Sequence, residues 1–188
     1  MSASAKAEHE RFFIGIDANA KPLEKLSTKI TRKPAKGGLP NAMFVMASVE
    51  ELPEEFAGIA DEIYINFPWG SLLRAVATGD LSVLASLNVV LKPKGTLKIT
   101  AGIDPNRDRS ELDRLGVPQI DLAYFEGSLS AAYGDAGFRM TDCCELAMSE
   151  WSRIETSWAR RLGGNDSRRV YQMTFYREDR DDEGREEL

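Results

Sequence analysis

At 188 residues, 43% hydrophobic and 29% charged, the chain has the size and composition of one globular domain with a sizeable core. It contains no run of about 18 apolar residues, which excludes a membrane span by hydropathy, and its first residues hold no apolar core of signal-peptide length. One histidine, His9, and two adjacent cysteines, Cys143 and Cys144, offer neither zinc-ligand spacing nor a disulfide framework. A reducing cytoplasm without metal or membrane partner is therefore expected.

The net charge of −6 is unevenly spread. From Arg177 to Leu188 there are seven acids and three bases, a charge of −4, which leaves −2 for the rest of the chain. Within that body Lys29, Arg32, Lys33 and Lys36 form a basic run free of acids. Arg153, Arg160, Arg161, Arg168 and Arg169 form a second basic group. For phosphate binding this distribution matters more than the sum.

In chain order, Phe12 to Asp17 is a short apolar run ending in an acid, which predicts a buried strand. Pro22 to Arg32 has helical spacing, with Leu23, Leu26 and Ile30 on one face. KPAKGGLPN, Lys33 to Asn41, is a loop by its Pro and Gly content. Met43 to Ala47 and Asp61 to Phe67 are further strand candidates, the latter broken by Pro68-Trp69-Gly70 before a helix from Ser71. Leu81 to Leu91 predicts a helix stopped by Lys92-Pro93-Lys94-Gly95, and Thr96 to Thr100 a strand. Ala101 to Gly116 is expected to be a loop, Leu122 to Ala136 a helix, and Phe138 to Leu146 and Val170 to Tyr176 the last two strands. Strand–helix alternation closed by two late strands implies an α/β, Rossmann-like fold, mostly parallel with a C-terminal antiparallel hairpin.

An acid at the end of the second strand of such a unit hydrogen-bonds the ribose of a nucleoside cofactor, and Asp17 occupies such a position. The same acid could instead cap the following helix. The glycine-rich turn that partners it belongs about 20 residues upstream. No G-x-G occurs in the sequence, so the first strand and its loop are expected to be missing from this chain, and cofactor binding to be weakened accordingly. Asn66-Phe67-Pro68-Trp69 ends a later strand, where ligands of open α/β sheets bind, and resembles the Asn/Asp-Pro-Pro-aromatic motif of amino-directed methyltransferases. Trp69 there either stacks on a base or packs into the core. Trp158, beside Arg160 and Arg161, has the same two readings, whereas Trp151 is assigned to packing. Ser128 and Ser130 have no histidine near them in sequence and sit in no nucleophile motif.

The segments IDANAKPLEKLSTKITRKPAKGGLPNAMFVMASVEELP, FPWGSLLRAV and ETSWARRL, in this order, resemble the Kam/Npm-type 16S rRNA (adenine-1408, N1) methyltransferases of aminoglycoside resistance. The resemblance runs from about Phe12 to Tyr176. It implies a class I methyltransferase domain over residues 1–176, N-terminally incomplete, followed by an acidic disordered tail, 177–188. It implies S-adenosylmethionine as cofactor, with Asp17 on the ribose, Val49 and Glu50 at the cofactor adenine, and Asn66, Phe67, Pro68, Gly70, Ser71, Thr156 and Ser157 walling the site. Trp69 and Trp158 would sandwich the flipped adenine. Lys29, Arg32, Lys33 and Lys36 would dock on 16S rRNA within the 30S subunit, with Arg160, Arg161, Arg168 and Arg169 as further contacts. A non-catalytic rRNA-binding paralogue, a truncated product, or a methyltransferase for another nucleoside or small molecule are the alternative readings.

Overall fold

The computed structural model describes residues 1–104, 106–118, 120–152, 154 and 168–179. The chain divides into two compact units, Met1–Pro53 and Glu54–Leu188.

The first unit begins with helix α1 (Ser2–Ala7), then strand β1 (Phe13–Asp17), helix α2 (Ala20–Ile30) and strand β2 (Ala42–Met46). β1 and β2 pair in parallel, with Asp17 opposite Met46. Parallel strands need a crossover, and α2 supplies it. A small core of Ala5, Ile30, Leu39 and Ala42 joins the helices to the strands. Asn41 ties α1 down by donating from Nδ2 to the carbonyls of Ala5 (2.9 Å), Glu8 (3.1 Å) and Arg11 (3.0 Å). The expected apolar face of α2 is only partly used: Ile30 is buried but Leu26 stays 39% exposed, because a two-stranded sheet covers little of a three-turn helix.

The second unit holds β3 (Ala60–Asn66), α3 (Ser71–Thr78), α4 (Leu81–Val90), β4 (Leu91–Ile103), α5 (Arg109–Leu115), α6 (Leu122–Tyr124), α7 (Ser130–Asp135), β5 (Phe138–Glu145), α8 (Met148–Trp151) and β6 (Arg169–Arg177). Its four strands lie in the order β3-β4-β6-β5. β3 and β4 are parallel, and β6 runs antiparallel to both β4 and β5, giving the expected C-terminal hairpin. The core is aromatic and aliphatic: Tyr133 stacks on Phe175 with centroids 4.1 Å apart, and Leu84, Leu97 and Ile99 are fully buried. α4 is predominantly apolar and is capped by Asp80, whose carboxylate accepts from the backbone N–H groups of Ser82 (3.0 Å) and Val83 (3.3 Å). Those bonds and the Ser82 hydroxyl hold the Asp80 carboxyl below its ordinary pKa, the hydroxyl contributing most.

Three expectations need correction. β1 forms where expected but is not a buried strand, since Phe13, Ile14 and Gly15 are only half-buried and Ile16 is 41% exposed. The segment Lys92 to Gly95 does not lie outside the strand: α4 ends at Val90 and β4 begins at once, with Ala60 opposite Leu91 and Glu62 opposite Thr96. The intervening residues form a bulge in which Lys94 takes φ 61°. Ala101 to Gly116 is not simply a loop either, since β4 continues to Ile103 and α5 occupies Arg109–Leu115. There, antiparallel pairing with β6 offset the polar composition. Among the described residues no single helix is long and apolar enough to cross a membrane.

Candidate cofactor and target-base site

In the first unit the cofactor candidates gather at the carboxyl end of the parallel pair. Asp17 ends β1 and is exposed. One of its oxygens, Oδ1, accepts the N–H of Asn19 at 2.8 Å. Capping of α2 falls instead to Asn19, whose side chain accepts from the N–H of Lys21. Asp17 Oδ2 has no hydrogen bond among the described residues, so a carboxylate oxygen faces solvent at a strand end, as a ribose diol requires. On the adjacent strand, Ala47 donates its N–H to Asp17 O at 3.3 Å, and the chain then turns through Ser48, Val49 and Glu50, with Glu51 N–H on Ser48 O at 3.2 Å. Val49 is half-buried and Glu50 exposed. Asp17 and the Val49-Glu50 turn thus share one end of one sheet.

The basic run is a compact turn. The N–H of Leu39 returns to Ile30 O at 2.8 Å and that of Gly38 to Lys33 O at 3.2 Å. Gly38 is required there, since a Cβ would fall 1.7 Å from Arg32 O. Lys29, Arg32, Lys33 and Lys36 are all exposed and make no ion pair among the described residues. α2 also carries Lys21 and Lys25, two turns and one turn before Lys29, extending the basic stripe. Their four-residue spacing is visible in the sequence.

In the second unit, Asn66 is the last residue of β3 and exposed, opposite Thr100 of β4. Phe67 follows with φ 51° and its N–H on Thr100 O at 2.7 Å. Its ring turns inward, 6% exposed, against Trp151 and Val170. Pro68 is buried, whereas Trp69 is 36% exposed and so not a core residue. Gly70, φ 61°, precedes Ser71, the first residue of α3. Trp151 is 2% exposed, in the packing role expected of it.

The arginines divide. Arg169 is exposed at the start of β6, where the Tyr171 hydroxyl, and then Glu145, raise its pKa further. Arg168 is held inward: Nη1 donates to Gly102 O and to Asp108 Oδ2, each at 2.8 Å, with side-chain exposures of 7% for Arg168 and 10% for Asp108. Asp108 also accepts the N–H of Asp104 at 2.9 Å. Neither Asp108 nor Gly102 stands out in the sequence, because both lie in the polar stretch from Ala101 to Gly116 that reads as a loop. Arg153, Thr156, Ser157, Trp158, Arg160 and Arg161 lie outside the described residues. Cys143 and Cys144 are partly buried on β5, and burial pushes the Cys143 thiol up to about 11, so neither is an activated nucleophile.

Comparisons with known proteins agree on one family. The model of the family described as "NpmA: 16S rRNA (adenine(1408)-N(1))-methyltransferase" matches residues 1–176. A 16S rRNA (adenine(1408)-N(1))-methyltransferase of Escherichia coli is 33% identical over 168 residues, covering 89% of this chain and 77% of that protein. The crystal structure of the aminoglycoside resistance methyltransferase NpmB1 is similar at 47% identity and TM-score 0.79, over 94% of this chain and 80% of that one. A tryptophan-to-alanine variant of the corresponding enzyme from Catenulisporales acidiphilia, with the cosubstrate SAM, superposes at TM-score 0.86 and 30% identity, covering 96% of this chain and 81% of that chain. On the family match over residues 1–176 and these relatives, the chain belongs to the 16S rRNA (adenine(1408)-N(1))-methyltransferase family.

Proposed function

We propose that this protein transfers a methyl group from S-adenosylmethionine to N1 of adenine 1408 in 16S rRNA, acting on the 30S subunit in the cytoplasm and conferring aminoglycoside resistance. The observation that carries the reading is Trp69: a large aromatic side chain left 36% exposed just past the carboxyl end of a parallel strand, three residues after the exposed Asn66. Exposed polar and aromatic groups at that end of an α/β sheet are placed to meet a ligand.

The residues present fit the cofactor, since Asp17 keeps one oxygen for ribose hydroxyls and the Val49-Glu50 turn stands on the neighbouring strand. When bound, S-adenosylmethionine supplies an electrophilic methyl on a positive sulfonium. N1 of adenine has an in-plane lone pair and is mostly unprotonated at neutral pH, so neither a general base nor a metal ion enters this reading. The work of the chain is orientation. N1 lies on the pairing edge, so the nucleotide must be extruded, and Trp69 offers a face on which the flipped base stacks. Trp158, in the sequence ETSW, is the second ring of the clamp, and Asn66 meets the base edge. Lys29, Arg32, Lys33 and Lys36, with Lys21 and Lys25 on the same helix, bind rRNA phosphates. Arg160, Arg161 and Arg169 add further contacts.

The test is methyl incorporation into purified 30S subunits. Trp69→Ala is expected to cut the rate by roughly ten-fold or more, since about 1–3 kcal/mol of stacking is lost, with Trp69→Phe milder. Trp69→Ala and Trp158→Ala together should be non-additive. Folded alanine variants that methylate normally would remove both tryptophans from the site.

A further inference from the structure

Resting on that reading, we infer that Gly102 and Phe67 form a positioning pair: the missing side chain of Gly102 seats the Phe67 ring, and this contact sets where Asn66 and Trp69 meet the target base. Phe67 sits between the two residues that face the base, yet its own ring is buried. A Cβ on Gly102 would lie 3.1 Å from both Cδ1 and Cε1 of that ring, tighter than an ordinary van der Waals contact. Away from Gly102 the ring meets Trp151 edge-on, with centroids 6.3 Å apart and planes at 68°, and it packs against Val170 as well. Phe67 is therefore gripped between β4 and α8.

Gly102 is itself fixed. It pairs with Val170 of β6, and its carbonyl accepts from Arg168, whose Cδ lies 3.5 Å from the same Cβ position. Arg168 is in turn held by Asp108, which supports a close neighbour of itself, Asp104, and spends no side-chain bond on capping α5.

Several departures from low energy coincide here. Phe67 holds a left-handed backbone that a bulky residue rarely adopts, a glycine takes the penultimate position of β4, and Arg168 Nε is buried without an acceptor among the described residues. Such strain persists where the surroundings over-determine it, and it gathers at sites that need fixed geometry. Here it falls at the carboxyl ends of β3 and β4. The left-handed turn at Phe67 redirects the chain from Asn66 into Pro68 and Trp69; with the ring unseated, the backbone relaxes toward extended geometry and Trp69 moves.

The experiment measures steady-state methylation of 30S subunits by the parent, Gly102→Ala, Phe67→Leu and the double variant, with circular dichroism to confirm folding. Gly102→Ala is expected to lower kcat about ten-fold while KM for 30S subunits stays within about two-fold, because the basic turn is untouched. The double variant is expected to recover most of that loss, since the smaller leucine leaves room for the added methyl. Full kcat in Gly102→Ala, a loss carried by KM, or losses that simply multiply in the double variant would each overturn the pair. Should Gly102→Ala not fold, Phe67→Leu decides alone: reduced kcat at constant KM supports the pair and parental kcat refutes it. Fluorotryptophan labelling gives a readout independent of activity, in which Gly102→Ala shifts the Trp69 fluorine resonance and an unmoved resonance refutes the pair. A parent that leaves 30S subunits unmethylated overturns the function proposed above but not the pair, which the fluorine resonance still decides.

Discussion

The family resemblance implies an rRNA contact for Arg168, and its buried pair with Asp108 makes a measurable alternative. The perturbation is Arg168→Met, which keeps the apolar stem and removes the guanidinium. The two side chains are 7% and 10% exposed, so solvent screens the pair little, and Asp108 would be left with only the N–H of Asp104 for its charge. Removing one partner of a buried pair costs about 3–5 kcal/mol, and the remaining hydrogen bond argues for the lower end. About 3 kcal/mol corresponds to a fall in Tm on the order of 6–12 °C for a chain of this size. Arg168→Lys should recover only part of the loss, because a single ammonium on a shorter reach cannot satisfy both Gly102 O and the carboxylate. The assay is urea denaturation followed by circular dichroism, with the midpoint and slope fitted separately. If Arg168→Met unfolds within about 0.5 kcal/mol of the parent, the guanidinium is solvated in solution, the burial argument fails, and Arg168 returns to the phosphate contacts.

Two further outcomes follow from the same structure. Reversing the charge of Arg32 and Lys33 together should weaken 30S binding and flatten its salt dependence by about one unit of slope per lost phosphate contact. Unchanged binding across several salt concentrations would make this turn a merely solvated face. Asp80→Ala should destabilise the second unit by about 1 kcal/mol through loss of the α4 cap. Because the folded-state pKa of Asp80 lies below its ordinary 3.8, the stability contributed by its charge is present above that value and fades as pH falls through the lowered one. The difference between parent and variant in urea titrations should therefore shrink in strong acid, and a gap that stays constant there would contradict the charge-based part of the cap.

Much of this protein was legible in its residues, for identifiable reasons. Strands such as Phe13–Asp17 and Arg169–Arg177 are short apolar or alternating runs, and Asp80, Gly79 and Gly137 punctuate the helices between them, so local chemistry alone delimits these elements. Motif order sufficed for the family, because KPAKGGLPN, PWGSLL and ETSW each preserve a turn or an aromatic in a particular place. The exposed basic turn was equally visible, being a matter of composition. The tertiary structure alone decided what depends on partners distant in sequence. The strand Leu91–Ile103 runs through residues that read as a helix stop and a loop, because β3 and β6 supply backbone hydrogen bonds that outweigh local propensity. Phe67 and Trp69, two residues apart, differ in fate because Trp151, Val170 and the bare Cα of Gly102 make a pocket for the first ring and leave the second at the surface. Arg168 and Arg169 look alike in sequence, yet one is buried against Asp108, sixty residues earlier, and the other stays exposed beside Tyr171 and Glu145. Burial and charge pairing are properties of the folded neighbourhood, and no window along the chain contains that neighbourhood.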